Sequence, residues 1–191
     1  MRCLSCQKLS FRTFCKECQT SLLKPNITKR VVGTLDVYSF YKYSTIETML
    51  LTKHTSLGYR VFSAISKITF KPFINEFISN DKRKIHIVGI DEKVKNGYSH
   101  VAILTNSMKT KYSKVLQASL LSSNNIKYSG KTLQFRLENP RNFTYNGKVN
   151  VDVILIDDII TTGTTLQEAK NVLEKSGINV LFALTLADAQ E

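Results

Sequence analysis

An α/β fold with a parallel sheet flanked by helices is what this 191-residue sequence predicts, and three observations predict it. The runs KIHIVGI (84–90) and VDVILID (151–157) are apolar on consecutive positions, the mark of strands buried on both faces. A helical pattern follows each run, and after the second comes another apolar run, INVLFALTLA, which completes a strand-helix-strand unit. Gly177 stands just past Lys175, where a glycine closes a helix.

The elements can be justified in chain order. Cys3, Cys6, Cys15 and Cys18 are all the cysteines present and form C-x2-C-x8-C-x2-C. Two such knuckles suit one tetrahedral Zn²⁺ held by four thiolates, with no position left for water. A redox pair would need a single CxxC on a βαβ scaffold, and two disulfides would suit an exported chain. About thirty residues bury little core, so metal binding should supply the folding free energy of this module. Pro25 to Arg30 reads as a linker, dividing a cysteine module (1–30) from a main domain (31–191).

VVGTLDVYSF alternates as a strand, with Tyr41 and Tyr43 continuing it towards a hairpin. A helix is expected from about Ser44, a candidate cap, to Lys53. Gly58 interrupts, and a second helix runs from about Tyr59 towards Ile78 with a kink or break at Pro72. After the strand ending at Asp91 and Glu92 comes a helix from Gly97 to Met108. KVLQASLL suits a strand or a short helix, and Asn124 to Lys148 is polar, basic and broken by glycine and Pro140. The last unit is VDVILID, a helix from Thr164 to Lys175, and INVLFALTLA.

The chemistry concentrates in residues 151–165. An apolar strand ends in Asp157 and Asp158 at the carboxyl edge of the sheet, where open α/β folds bind ligands. Thr161, Thr162, Gly163, Thr164 and Thr165 follow and open a helix, so free N–H groups and hydroxyls favour an anion. Glycine at 163 would let a phosphate approach the backbone amides. Two acceptors for sugar hydroxyls beside a phosphate cradle describe a site for a phosphorylated ribose. A P-loop would carry GxxxxGK[ST] and a dinucleotide fold GxGxxG; neither is here. Lys93 and Lys95, after the neighbouring strand, are candidates to meet a pyrophosphate. His54, His86 and His100 are isolated, without metal-like spacing, and are expected to pack or hydrate.

Formal net charge is +12, unevenly spread: +6 over residues 1–30, +2 over 31–80, +9 over 81–148 and −5 over 149–191. Basic surface beside a four-cysteine module points to nucleic acid or another polyanion. No apolar run approaches the roughly 18 residues of a membrane span. MRCLSCQKLS lacks the apolar core of a leader, and with reduced thiols this predicts a cytoplasmic protein.

The stretch of apolar run, DD, two apolar residues and TTGTT resembles the phosphoribosyl-pyrophosphate signature of the type I phosphoribosyltransferases. The resemblance implies that fold. It makes Asp157 and Asp158 the catalytic pair, hydrogen-bonded to the ribose 2′- and 3′-hydroxyls, and wraps residues 161–165 around the 5′-phosphate. Mg²⁺ would accompany the phosphoribosyl pyrophosphate, bridging its oxygens. Across the whole chain, the cysteine module, the YKY segment before a lysine-bearing helix, and this motif are together similar to the ComF family. NGYSH (Asn96–His100) stands where that family often has an RGFNQ-like stretch, with Asn96 at the arginine, and FRLENPRNF resembles a further segment.

That resemblance implies a competence protein for natural transformation, handling incoming single-stranded DNA in the cytoplasm beside the uptake machinery of the inner membrane. A genuine purine- or pyrimidine-type salvage phosphoribosyltransferase with an appended zinc module is the alternative. A regulator reporting phosphoribosyl pyrophosphate levels to protein partners is a third class. No base-selecting element is legible, and fold does not fix function.

Overall fold

The computed structural model describes residues 2–91, 93–94, 97–124 and 132–190. The chain forms α1 (Lys16–Thr20), β1 (Thr28–Val32), β2 (Leu35–Lys42), α2 (Tyr43–Leu50), a 3-10 turn (Leu51–His54), α3 (Ser56–Ile68) and α4 (Phe70–Asn80). It continues through β3 (Ile85–Gly89), α5 (His100–Ser107), β4 (Ser113–Val115), β5 (Leu120–Ser122), α6 (Leu133–Glu138) and β6 (Phe143–Tyr145). β7 (Asp152–Ile160), α7 (Thr164–Lys175) and β8 (Asn179–Asp188) close it. The main sheet has the order β1-β2-β8-β7-β3-β4, with β1 antiparallel to β2 and the remaining neighbours parallel. β5 and β6 pair separately as a small antiparallel ribbon. The expected α/β class, a sheet flanked by helices with a small N-terminal cysteine cluster, is therefore the class observed.

Consecutive apolar residues on the central strands are explained by two cores. Ile154, Ile156, Leu184 and Leu186 pack with Phe62, Ile65, Ile74 and Leu104 from α3, α4 and α5. Val153, Leu155 and Ala183 pack on the other face with Leu166, Ala169 and Leu173 of α7 and with Leu120 and Phe143 of the small ribbon. The chain leaves β7 through α7 to reach β8 on one side, and leaves β3 through α5 to reach β4 on the other. The crossovers thus diverge between β3 and β7, the kind of switch point at which open α/β sheets bind ligands.

The cysteine module is joined to this body. Cys3, Phe14, Cys18 and Leu23 are buried in the same cluster as Phe40, Tyr41 and Phe70. The Tyr41 hydroxyl donates to the Leu23 carbonyl (2.7 Å), and the Asn26 amide donates to Phe40 O (3.0 Å).

Several boundaries differ from the sequence expectations. The hairpin lies inside VVGTLDVYSF, with β1 taking the second half of the expected linker. Its two-residue loop begins with Gly33 at φ +58°, the sign a tight hairpin requires. Ser44 is not a cap: α2 starts from Lys42 with no side-chain cap. The break in the long helix falls at Thr69, and Pro72 sits in the first turn of α4, where a missing N–H costs nothing. Gly58 belongs to the first turn of α3, its amide capped by Thr55 Oγ1 (3.3 Å). The ambiguous 112–121 stretch yields two short strands. Gly177 does close α7: its N–H donates to Glu174 O and that of Ile178 to Leu173 O, the paired bonds of a Schellman turn.

Candidate functional site

Asp157 and Asp158 stand near the end of β7, and Asp91 just beyond β3, so the divergence of the crossovers gathers three carboxylates at one rim. Pairing of Gly89 with Ile156, and the Ile90 amide bonded to Ile156 O (2.9 Å), set their register. Asp158 is buried and turned towards the helical layer. Lys53 Nζ lies 2.8 Å and His100 Nε2 3.2 Å from the same oxygen, Asp158 Oδ2. Asp157 is half-buried, and its Oδ1 accepts the Asp158 amide (2.8 Å).

These surroundings split the pair. Burial and the neighbouring Asp158 charge push the Asp157 carboxyl well above the ordinary range. Burial acts on Asp158 in the same sense, but the Lys53 ammonium and the His100 hydrogen bond outweigh it and hold that carboxyl low.

The threonine-glycine bend follows directly. Gly163 is buried at the N-cap of α7 with φ +83° and offers no capping side chain, the Thr162 hydroxyl accepts the Thr164 amide (3.5 Å), and the first turn carries no acid. Thr162 and Thr164 join through their hydroxyls (3.0 Å). The first amides of α7 are consequently oriented for an anion. The structure gives a second reason for glycine at 163: a Cβ there would come within 2.6 Å of Val32 Cγ1 on β1. The hairpin packs over the bend, and Lys170 of α7 donates to Thr34 Oγ1 in its loop.

Lys93 is at the end of β3 beside Asp91, its ammonium bonded to Ser122 of β5 and 3.8 Å from Asp91 Oδ1. Lys95, with Asn96 and Glu92, lies outside the described residues. Arg141 of the segment before β6 reaches within 3.8 Å of Asp91 Oδ2, and Glu168 of α7 accepts the Arg141 and Asn142 amides (2.9 and 2.7 Å). The β5–β6 ribbon is thereby docked as a hood beside the rim.

Lys53 and His100 were not among the expected site residues, and the expectation that His100 would merely pack or hydrate is corrected by its bond to Asp158. Its ring also meets His54 and Phe62 edge-on. His86 does pack, buried in β3. Tyr98 of NGYSH donates to Lys53 O (2.7 Å) and Thr55 O (2.9 Å), strapping the β3–α5 loop to the turn that carries Lys53.

The four sulfurs of the cysteine module all lie within 4.8 Å of one another, with Cys6 Sγ and Cys15 Sγ 3.6 Å apart. Four bonds of about 2.3 Å in a tetrahedron separate sulfurs by about 3.8 Å, so the cluster fits a structural ion. Burial opposes ionisation of Cys3, but the Cys15, Cys6 and Ser5 amides bring its thiol down to about 6.

No protein-family model matches the chain. An orotate phosphoribosyltransferase of Coccidioides immitis (strain RS) is 46% identical over 39 residues, 20% of this chain and only 16% of that protein's length. A solved hypoxanthine phosphoribosyltransferase from Staphylococcus aureus is 21% identical over 64% of this chain and 62% of its own, with a TM-score of 0.40. An adenine phosphoribosyltransferase from Leishmania tarentolae is 15% identical over 90% of this chain and 88% of its own, with a TM-score of 0.41. Sheet order, diverging crossovers and the carboxylate–threonine rim give this chain a type I phosphoribosyltransferase-like fold with a metal-competent cysteine cluster.

Proposed function

We propose that the chain binds phosphoribosyl pyrophosphate at the β3–β7 rim as a phosphoribosyltransferase of the salvage type, with Zn²⁺ in the cysteine module. The observation that carries this reading is the meeting, at one topological switch point, of a carboxylate pair and a threonine-glycine helix start. Asp157 and Asp158 accept the ribose hydroxyls, and residues 161–165 enclose the 5′-phosphate. Mg²⁺, bound through substrate oxygens, would supply charge neutralisation for the departing pyrophosphate. Lys93 and Lys95 are the candidates to meet the pyrophosphate. Transfer breaks the C1–O bond to pyrophosphate as a nucleobase nitrogen bonds C1 and gives up its proton to solvent, and the protein's part is positioning and charge stabilisation. The deciding experiment incubates the full chain with labelled ligand, magnesium and each nucleobase. Pyrophosphate release with one base is expected; calorimetry showing no binding of the ligand at all would end the reading.

A second reading, single-stranded DNA handling in competence in the cytoplasm, is favoured by two surfaces. Phe11 is fully exposed on the cysteine module, which also exposes Arg2, Arg12 and Lys16, side chains suited to stacking and phosphate contact. A groove of about 600 Å³ is lined by Tyr59, Ser63, Lys67, Lys71, Asn106 and Ser107. Affinity for an oligonucleotide should fall steeply with salt and drop in Phe11→Ala; salt-insensitive binding rejects this role.

A further inference from the structure

Asp158 lies in β7, yet its bonded cation comes from a turn 105 residues earlier. Lys53 Nζ and His100 Nε2 converge on Asp158 Oδ2 from the 3-10 turn and from α5, while Asp157 abuts from the same strand. Lys53 is largely withdrawn from solvent, with 29% of its side chain exposed, so the pair is weakly screened. The turn itself is pinned. The Tyr98 hydroxyl donates to Lys53 O and Thr55 O, and Gly58 leaves the space for that hydroxyl: a Cβ there would lie 2.2 Å from it and 2.1 Å from Thr52 O.

We infer that Lys53 is a positioning residue of the proposed ribose site: its ammonium keeps Asp158 an anionic hydrogen-bond acceptor beside Asp157, and Tyr98 fixes the turn that presents it. The inference rests on the phosphoribosyl reading of the rim. Two adjacent carboxyls without a cation share a proton, and a shared proton removes acceptor capacity that sugar hydroxyls need. The groups facing Asp158 are Lys53, His100 and Asp157. His54 meets His100 edge-on, and Tyr43 at the start of α2 is the further titratable group near Lys53. The burial-driven rise of the Asp157 carboxyl is in keeping with a pair that already needs Lys53 to keep one member ionised.

The test is calorimetry of phosphoribosyl pyrophosphate with magnesium on the full zinc-loaded chain, from about pH 6 to about pH 9. Lys53→Met should lose about 10–100-fold in affinity relative to wild type near neutrality, the deficit shrinking as the pH rises. Lys53→Arg should restore most of it. A Lys53→Met/wild-type ratio that stays near one, or a deficit of equal size at every pH, overturns the inference while leaving the parent reading intact. Wild-type protein that binds no ligand overturns the parent reading instead. Should Lys53→Met fail to fold, carbon-13 titration of the unliganded wild type decides. Asp158 must stay ionised across the range, and a neutral-range titration shared with Asp157 refutes the role.

Discussion

Asp157 and Asp158 share a peptide bond but face different surroundings, one pressed against a neighbouring charge and the other bonded to Lys53 and His100. The consequence for stability has a definite sign. The folded Asp157 carboxyl is raised above its unfolded value of about 3.9, so its contribution is full below that pH and declines as the pH climbs towards the folded value. Asp157→Asn, equal in shape and unable to ionise, should therefore melt above wild type at about pH 8 and level with it near about pH 4. Equal melting at both pH values would contradict the assigned environment. On the proposed reading the variant should also bind phosphoribosyl pyrophosphate less well, the usual trade between stability and function. The acids and threonines could be read as a site because they are contiguous and their residue types carry the chemistry. Lys53 and His100 could not: each is isolated in sequence, and only the packing of the 3-10 turn and α5 over β7 brings them to Asp158.

The bend between β7 and α7 depends on an element remote in sequence. Gly163 has φ +83° and sits against Val32 of β1, so Gly163→Ala meets both a left-handed backbone and a side chain 2.6 Å away. A loss of about 1–3 kcal/mol in denaturant unfolding is expected. Val32→Ala in the same chain should return the steric part and leave the backbone part; a single substitution as stable as wild type rejects the packing argument. A second strap works at the other end of the site. Tyr98→Phe removes both hydrogen bonds to the Lys53–Thr55 backbone, and faster amide exchange in the 3-10 turn is the expected readout, with unchanged exchange counting against the strap. The last strand-helix-strand unit was legible to within three residues, β7 running on from Asp157 to Ile160, because its periodicity, its turn chemistry and Gly177 agree. The hairpin was misplaced because Gly33 lies within a run whose alternation looked continuous. The hood strands were indistinct because β5 and β6 are three residues each.

At the scale of the molecule, the cysteine module and the sheet share apolar packing through Phe14, Leu23, Phe40 and Phe70. Metal removal should reach beyond the module for that reason. Zinc analysis should give one ion per chain, lost in Cys15→Ser, and a strong chelator should lower the melting of the whole chain in one transition. A main transition untouched by the chelator would show the module to be an independent appendage. Charge is unevenly placed: the acidic segment 149–191 carries the Asp157–Asp158 pair and the threonine bend, whereas the positive excess lies in residues 1–30 and 81–148. No described helix is long and apolar enough to cross a membrane.

The parallel pairing of β2 with β8 sets an order on events at the ribosome. Ser39 finds its buried partner Thr185 only after 146 further residues have been added. At roughly 5–20 residues per second that is a wait of about 7–30 s. Through that interval the hairpin exposes Val37 and Phe40 with no neighbour strand on one edge, so nascent chains stalled before residue 179 should be clients for a chaperone that shields unpaired strands.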